Sequence, residues 1–248
     1  MPGAFWGTKP IAVAHRGGNA AGKPKRNTLA AFKAAHRLGY DYFETDVINT
    51  KDGQVIIAHG AMFNLTARLR GTFKIDLLQN LTYKQIKSGL KVSGEQILLL
   101  EDLLKTFPTT KFFIDPKTDA VVEPLAELVS RLKVQDRICL GSFRYGRVQK
   151  LHQLLKGKGH FALVIGRNNW LAYLPKLKTG RLKLIEAVYM HHSFVSRPML
   201  NLVHAKGLKA LIWTCNSPLS IKHALRCGAD GVISDRIDLL KEVLTARG

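Results

Sequence analysis

The segment 207–235, GLKALIWTCNSPLSIKHALRCGADGVISD, carries the fold in miniature. Ala210–Thr214 reads as a short strand, Leu219–Arg226 as a helix and Val232–Ser234 as a second strand. A strand, a helix and a strand joined by connections long enough for a crossover imply that the two strands are parallel. The same unit repeats toward the N-terminus. Pro198–Ala205 reads as a helix after the strand Ala187–Met190, and Phe161–Ile165 is a strand before it. Arg137–Phe143 precedes a helix from Arg147 to Leu155, and Lys111–Asp115 precedes a helical stretch, Val122–Leu132. At the start of the chain, Ile11–His15 is a strand ending at a glycine pair. Asn27–Leu38 is a helix with Leu29, Phe32, Ala35 and Leu38 on one face, stopped by Gly39. Tyr42–Val47 is the next strand, and Gln54–His59 a further run after an Asp52-Gly53 turn.

A chain of 248 residues suits one (β/α)₈ TIM barrel spanning residues 1–248, since such barrels run to about 250 residues. The competing architecture is a doubly wound open sheet, but no GxGxxG opens a helix, which weighs against its dinucleotide-binding form. Gly60–Leu90 is the least regular stretch. It reads as an inserted excursion after the second βα region, with one helix near Tyr83–Ser88.

Composition narrows the setting. The chain is 46% hydrophobic and 23% charged, so it can bury a core and is not of the disordered class. Cys139, Cys215 and Cys227 are widely spaced, with neither zinc-ligand nor CxxC spacing, and read as buried thiols of a reducing compartment. Met1 to Pro10 has no apolar core of a signal peptide, and the apolar runs are too short to span a bilayer, so the expected location is cytoplasmic. The formal charge of +20 admits nucleic acid or an anionic membrane surface as partner. Its Lys and Arg are spread along the chain, and the densest cluster, Lys23-Pro24-Lys25-Arg26, is short and has no interleaved aromatics. No nucleic-acid partner is therefore expected; attraction of anionic substrates is, with at most weak association with anionic membrane.

In a barrel, functional side chains gather at the C-terminal ends of the strands. Those ends here carry His15-Arg16, Glu44 and Asp46, His59, Asp115 with Lys117, and Trp213 with Asn216. Glu44 and Asp46 are two apart on a strand and so face the same side. Two carboxylates on one inward face repel unless a cation or proton lies between them. With Asp115 they offer the oxygen set that Mg²⁺ or Ca²⁺ takes; pairing with nearby Lys or Arg is the alternative. His15 and His59 flank these carboxylates. Each is either a structural histidine or one of the acid and base groups that phosphodiester cleavage needs. Arg16 and Lys117 have the charge to hold non-bridging phosphate oxygens, although Arg16 can equally pair with Glu44 or Asp46.

These residues resemble a known family. Ala14-His15-Arg16-Gly17, Asn27-Thr28-Leu29-Ala30-Ala31-Phe32 and Glu44-Thr45-Asp46-Val47 are similar to the opening of glycerophosphodiester phosphodiesterases. The likeness continues through His59, Ile114-Asp115-Pro116-Lys117, Trp213-Thr214-Cys215-Asn216 and the run from Gly228 to Asp235, covering roughly residues 11 to 242. The resemblance implies a TIM barrel that hydrolyses glycerophosphodiesters to glycerol 3-phosphate and an alcohol with Mg²⁺ or Ca²⁺. By position it makes His15 and His59 the acid/base pair, Glu44, Asp46 and Asp115 the metal ligands, and Arg16 and Lys117 the phosphate contacts. Trp213 would line the substrate pocket, or be plain core.

Two departures stand out. Arg26 replaces the Glu the family usually has before Asn-Thr, and Gly60 replaces the Asp that usually follows the histidine. Both remove a negative charge, and near the barrel mouth they would favour anionic substrates; the contrary expectation is that Arg26 points to solvent. Two other functions remain open on the sequence. Met62, Phe63, Leu65, Leu69, Phe73, Ile75, Leu77 and Leu78 make the excursion apolar enough to receive an acyl chain, as in a lysophospholipase D, or simply to pack on the barrel. A catalytically silent barrel that binds anionic ligands is the other.

Overall fold

The computed structural model describes residues 5–7, 10–19, 26–59, 78–92 and 95–245. Eight parallel strands close into a barrel. They are β1 (Ile11–His15), β2 (Tyr42–Asn49), β6 (Lys111–Pro116), β7 (Ile138–Ser142), β8 (His160–Ile165), β9 (Ala187–His191), β10 (Lys209–Trp213) and β11 (Gly231–Ser234). Each pairs with the next, and β1 closes the ring by pairing with both β11 and β2. The helices lie between strands: α1 (Leu29–Arg37), α4 (Val122–Leu132), α5 (Tyr145–Leu154), α6 (Trp170–Lys178), α7 (Arg197–His204), α8 (Pro218–Cys227) and α9 (Ile237–Thr245). The fold expected from the alternation is the one observed, and every anticipated helix is present within a residue or two of its expected ends.

One strand differs in role. The run Gln54–His59 yields β3 (Val55–Ile57), which pairs antiparallel with the far end of β2 and is no part of the barrel wall. Thr50 makes the intervening turn, its hydroxyl accepting from Gln54 N and donating to Asp52 Oδ1. The excursion leaves from here. Its described part contains α2 (Tyr83–Gly89), capped by a reciprocal Thr82–Gln85 pair, then a hairpin of β4 (Lys91–Val92) and β5 (Glu95–Gln96), and then α3 (Leu100–Thr106). Leu78 is buried in a satellite core with Ile48, Ile56, Ile86 and Ile97. Gly60 and the apolar residues from Met62 to Leu77 lie outside the described residues.

Alternation along each strand separates two cores. Outward residues such as Phe43, Phe112, Leu140 and Ile212 pack on the helices. Inward residues, among them Val13, Phe113, Cys139, Val164, Tyr189 and Ile233, fill the barrel. Gly141 is required here, because a Cβ on it would lie 2.7 Å from the ring of Tyr189. The lower end is stopped by Phe5 and Trp6. Phe5 O accepts from Tyr42 Oη and Lys111 Nζ, its ring stacks on His160 at 4.4 Å, and Trp6 Nε1 donates to Glu186. No helix among the described residues is long and apolar enough to cross a membrane.

Candidate active site

The upper end of the barrel opens into a cavity of about 290 Å³. Its lining includes His15, Arg16, Glu44, Asp46, His59, Asp115, Lys117 and Trp213. The eight side chains given a site role from the sequence therefore meet at one place; Asn216, also at a strand end, is not in this lining. Phe113, Val164, Tyr189 and Ile233 form the apolar floor, and Phe143 stands beside Trp213.

Strand register explains the convergence. His15 is opposite Glu44, and Asp46 is opposite Asp115. The β1–α1 connection is then pinned back over the strands. Arg16 adopts a positive φ of 54°, and its N–H donates to Glu44 O at 2.8 Å. Asn27, at φ 59°, donates its N–H to Arg16 O and accepts from Thr45 Oγ1, and Thr28 caps α1 by accepting from Ala31 N. Asn is among the few residues that take this left-handed conformation readily, which accounts for the Asn27-Thr28 pair.

The charged groups form a tight network. Arg16 Nε lies 2.6 Å from Asp46 Oδ2, and Lys117 Nζ lies 2.5 Å from both Asp46 Oδ1 and Asp115 Oδ2. The two cations expected to hold phosphate are thus paired with carboxylates. Burial alone would raise the Asp46 carboxyl, but Lys117 and then Arg16 overcome it and hold the group well below the usual carboxylate range. Glu44 is pushed up to about 7 by burial and by the neighbouring Asp46 charge. Burial likewise lifts Asp115 to about 6, against the pull of Lys117. Burial drives His59 down to about 4, only partly offset by Asp46, so its imidazole is neutral near pH 7.

No three His, Cys, Asp or Glu side chains among the described residues form a ready-made metal cage, and the positive charge between Asp46 and Asp115 belongs to Lys117. The donor chemistry nevertheless fits a divalent cation. Three carboxylates against Arg16 and Lys117 leave one net negative charge in a buried space, where burial first and the Asp46 charge second raise Glu44 and Asp115. Asp115 Oδ1 is buried with no hydrogen-bond partner. A divalent cation would turn the site to one net positive charge, matched to a phosphodiester monoanion.

His15 has a partner that the sequence reading did not assign. Its Nδ1 is 2.7 Å from Asp235 Oδ1, while Nε2 faces Glu44 Oε2 at 3.6 Å. Asp235 Oδ2 accepts from Asn216 Nδ2 at 2.8 Å, and Arg26 Nη1 donates to Asp235 Oδ1 at 2.9 Å. Burial raises the Asp235 carboxyl, but the bond from His15 and the Asn216 and Arg26 contacts outweigh it and leave it well below the usual range. Arg26 therefore does not point away into solvent; it reaches the group behind His15. The signal for Asp235 was its place just past the last strand, the same strand-end position that marked His15. Trp213 is held by its Nε1 bond to Tyr189 O at 3.0 Å and packs edge-on against Phe143, over which Lys117 sits at 5.5 Å.

The glycerophosphoryl diester phosphodiesterase family profile matches residues 15–239. A protein of Mycobacterium tuberculosis named probable glycerophosphodiester phosphodiesterase 2 is 30% identical, covering 96% of this chain and 92% of its own. A human lysophospholipase D is 26% identical over 94% of this chain and 85% of its own. Among solved structures, an Oleispira antarctica phosphodiesterase in complex with the product sn-glycerol-3-phosphate superposes with a TM-score of 0.77 at 20% identity, covering 96% of this chain and 97% of its own.

Proposed function

The chain belongs to the glycerophosphoryl diester phosphodiesterase family and is a phosphoric diester hydrolase, and on that premise we propose that it hydrolyses glycerophosphodiesters to glycerol 3-phosphate and an alcohol with the aid of Mg²⁺ or Ca²⁺. The observation that carries the proposal is the meeting of two histidines, three carboxylates and two cations on one cavity. Glu44, Asp46 and Asp115 would hold the cation. When bound, such a cation supplies Lewis-acid stabilisation of charge on the phosphate oxygens.

The remaining work falls to this chain's side chains. His59, neutral because it is buried, suits removal of the proton from the attacking oxygen. His15 suits donation to the departing alkoxide: Asp235 on Nδ1 fixes the ring, and Nε2 is turned to the Glu44 side of the cavity. As the new P–O bond forms and the bond to the alcohol breaks, the leaving oxygen takes that proton. Arg16 and Lys117 offset the charge on the non-bridging oxygens. Trp213 and Phe143 flank the organic part of the substrate. The three unpaired cysteines support a cytoplasmic setting.

The aromatic wall and apolar floor also favour testing lysophospholipids as substrates. The experiment is a panel of glycerophosphocholine, glycerophosphoinositol, glycerophosphoglycerol and lysophosphatidylcholine, assayed with and without EDTA. Release of glycerol 3-phosphate, lost in chelator and restored by Mg²⁺ or Ca²⁺, is expected. His15→Ala and His59→Ala should each lower kcat by about 10²–10⁴-fold. Preference for lysophosphatidylcholine would shift the assignment to the lipid enzyme. Turnover indifferent to chelator and to both substitutions would overturn it.

A further inference from the structure

The net charge is not spread evenly around the barrel. From Arg137 to Ala229 there are sixteen Lys and Arg residues and a single acidic one, Glu186; the other 155 residues carry twenty-two against seventeen. A net +15 of the chain's +20 thus falls on the segment that builds β7, β8, β9 and β10, four neighbouring strands and half of the closed ring. The one acid is engaged at the lower end, where Glu186 meets His160 and Trp6.

The same half carries the two most exposed large apolar side chains among the described residues, Leu171 at 84% and Leu219 at 82%; Leu38 and Leu154 follow at 41%. Leu171 and Leu219 lie in the first turns of α6 and α8, directly after the upper ends of β8 and β10. Both are therefore on the face that holds the active-site cavity. Between them runs a train of rings. Trp170 stacks flat on Phe194 at 4.5 Å, Phe194 meets His191, His191 packs on His192, and His191 also lies edge-on to Trp213 of the cavity wall at 5.2 Å. Leu219 and His192 share a second, mainly apolar cavity with Val195 and Ile212. Arg144 and Arg167 are exposed on the same rim.

We propose that this rim docks on a lipid bilayer carrying anionic headgroups, with Leu171 and Leu219 inserted and the active-site mouth turned toward the membrane. The two ingredients are those of an interfacial binder: apolar side chains that gain by leaving water, and a basic surface that adds attraction to anionic lipid. Nucleic acid would use the charge but leaves the protruding leucines without a role. The proposal stands independently of which diester is cleaved, because binding is read without turnover.

The test is co-sedimentation of the purified chain with vesicles of phosphatidylcholine alone and of phosphatidylcholine with about a third phosphatidylglycerol, near physiological salt. Binding to the anionic vesicles and not to the neutral ones is expected. The double variant Leu171→Ser with Leu219→Ser should lower the partition coefficient at least about tenfold, while its hydrolysis of water-soluble glycerophosphocholine and its melting temperature stay at wild-type values. Arg167→Glu should also weaken vesicle binding. Absence of binding to anionic vesicles would overturn the proposal, as would a double variant that sediments like wild type. Duplex DNA that displaces the protein from vesicles and binds the double variant as tightly as wild type would assign the basic half to nucleic acid instead.

Discussion

Asp235 stands behind His15 as a carboxylate that fixes an imidazole from its far side. It accepts at Oδ1 from the ring, is itself held by Asn216 and Arg26, and is not among the described residues that line the cavity. Its contribution is therefore to the orientation of His15 rather than to substrate binding. Asp235→Asn should lower kcat about 10²-fold and change KM by less than threefold, with the melting temperature preserved; a kcat within twofold of wild type would mean that His15 is positioned by its neighbours in β1. The eight cavity residues were legible because strand ends are where barrels place chemistry and because Glu44 and Asp46 share a strand face. The pairing of Asp235 with His15, and of Arg26 with Asp235, was not. Their contacts span 220 and 209 positions of sequence, and they exist only because the last strand closes against the first.

Elements at the lower end are tied by another aspartate. Asp230 immediately precedes β11, and its carboxylate accepts from Lys209 Nζ and Ala210 N of β10 and pairs with His204 at the end of α7. Its backbone accepts from Ile11 of β1 and donates to Ala210. Burial raises its carboxyl, but Lys209, the Ala210 N–H and His204 outweigh burial and depress it. A depressed folded-state value means stabilisation that is present above the unfolded value of about 3.9 and is lost as pH falls through the folded one. Asp230→Asn should thus cost about 1–2 kcal/mol at pH 7, the low end reflecting partial exposure, and the gap in melting temperature from wild type should narrow as pH falls below about 3.9. A gap that stays constant as pH falls well below about 3.9 would assign the loss to packing.

The same scale shows where sequence reading ran out. Gln54–His59 had a strand's composition, but only Val55–Ile57 form a strand, and they pair with Val47–Asn49 of β2, past the residues that β1 pairs. The helix α6, Trp170–Lys178, has no acid in its first turn, has Pro175 inside it and buries only Leu177, so it carries little helical signature.

At the scale of the whole molecule, the barrel has a mouth at one end and a stopper at the other. Phe5 and Trp6, packed against Tyr42, Phe113 and His160, close the lower end, and apolar residues fill the shaft up to the cavity floor. Among the described residues, traffic therefore has one doorway. Both products of cleavage must back out along the route the diester took in, and neither can leave while a new substrate is entering. The anionic product in particular has nowhere deeper to retreat, since the floor offers it no counter-charge. Added glycerol 3-phosphate should accordingly raise the apparent KM and leave kcat untouched, and a fall in kcat at saturating diester would reveal a second way out. An enzyme with a single door is throttled by what it makes, and its rate in a crowded pool of product will be set at the exit.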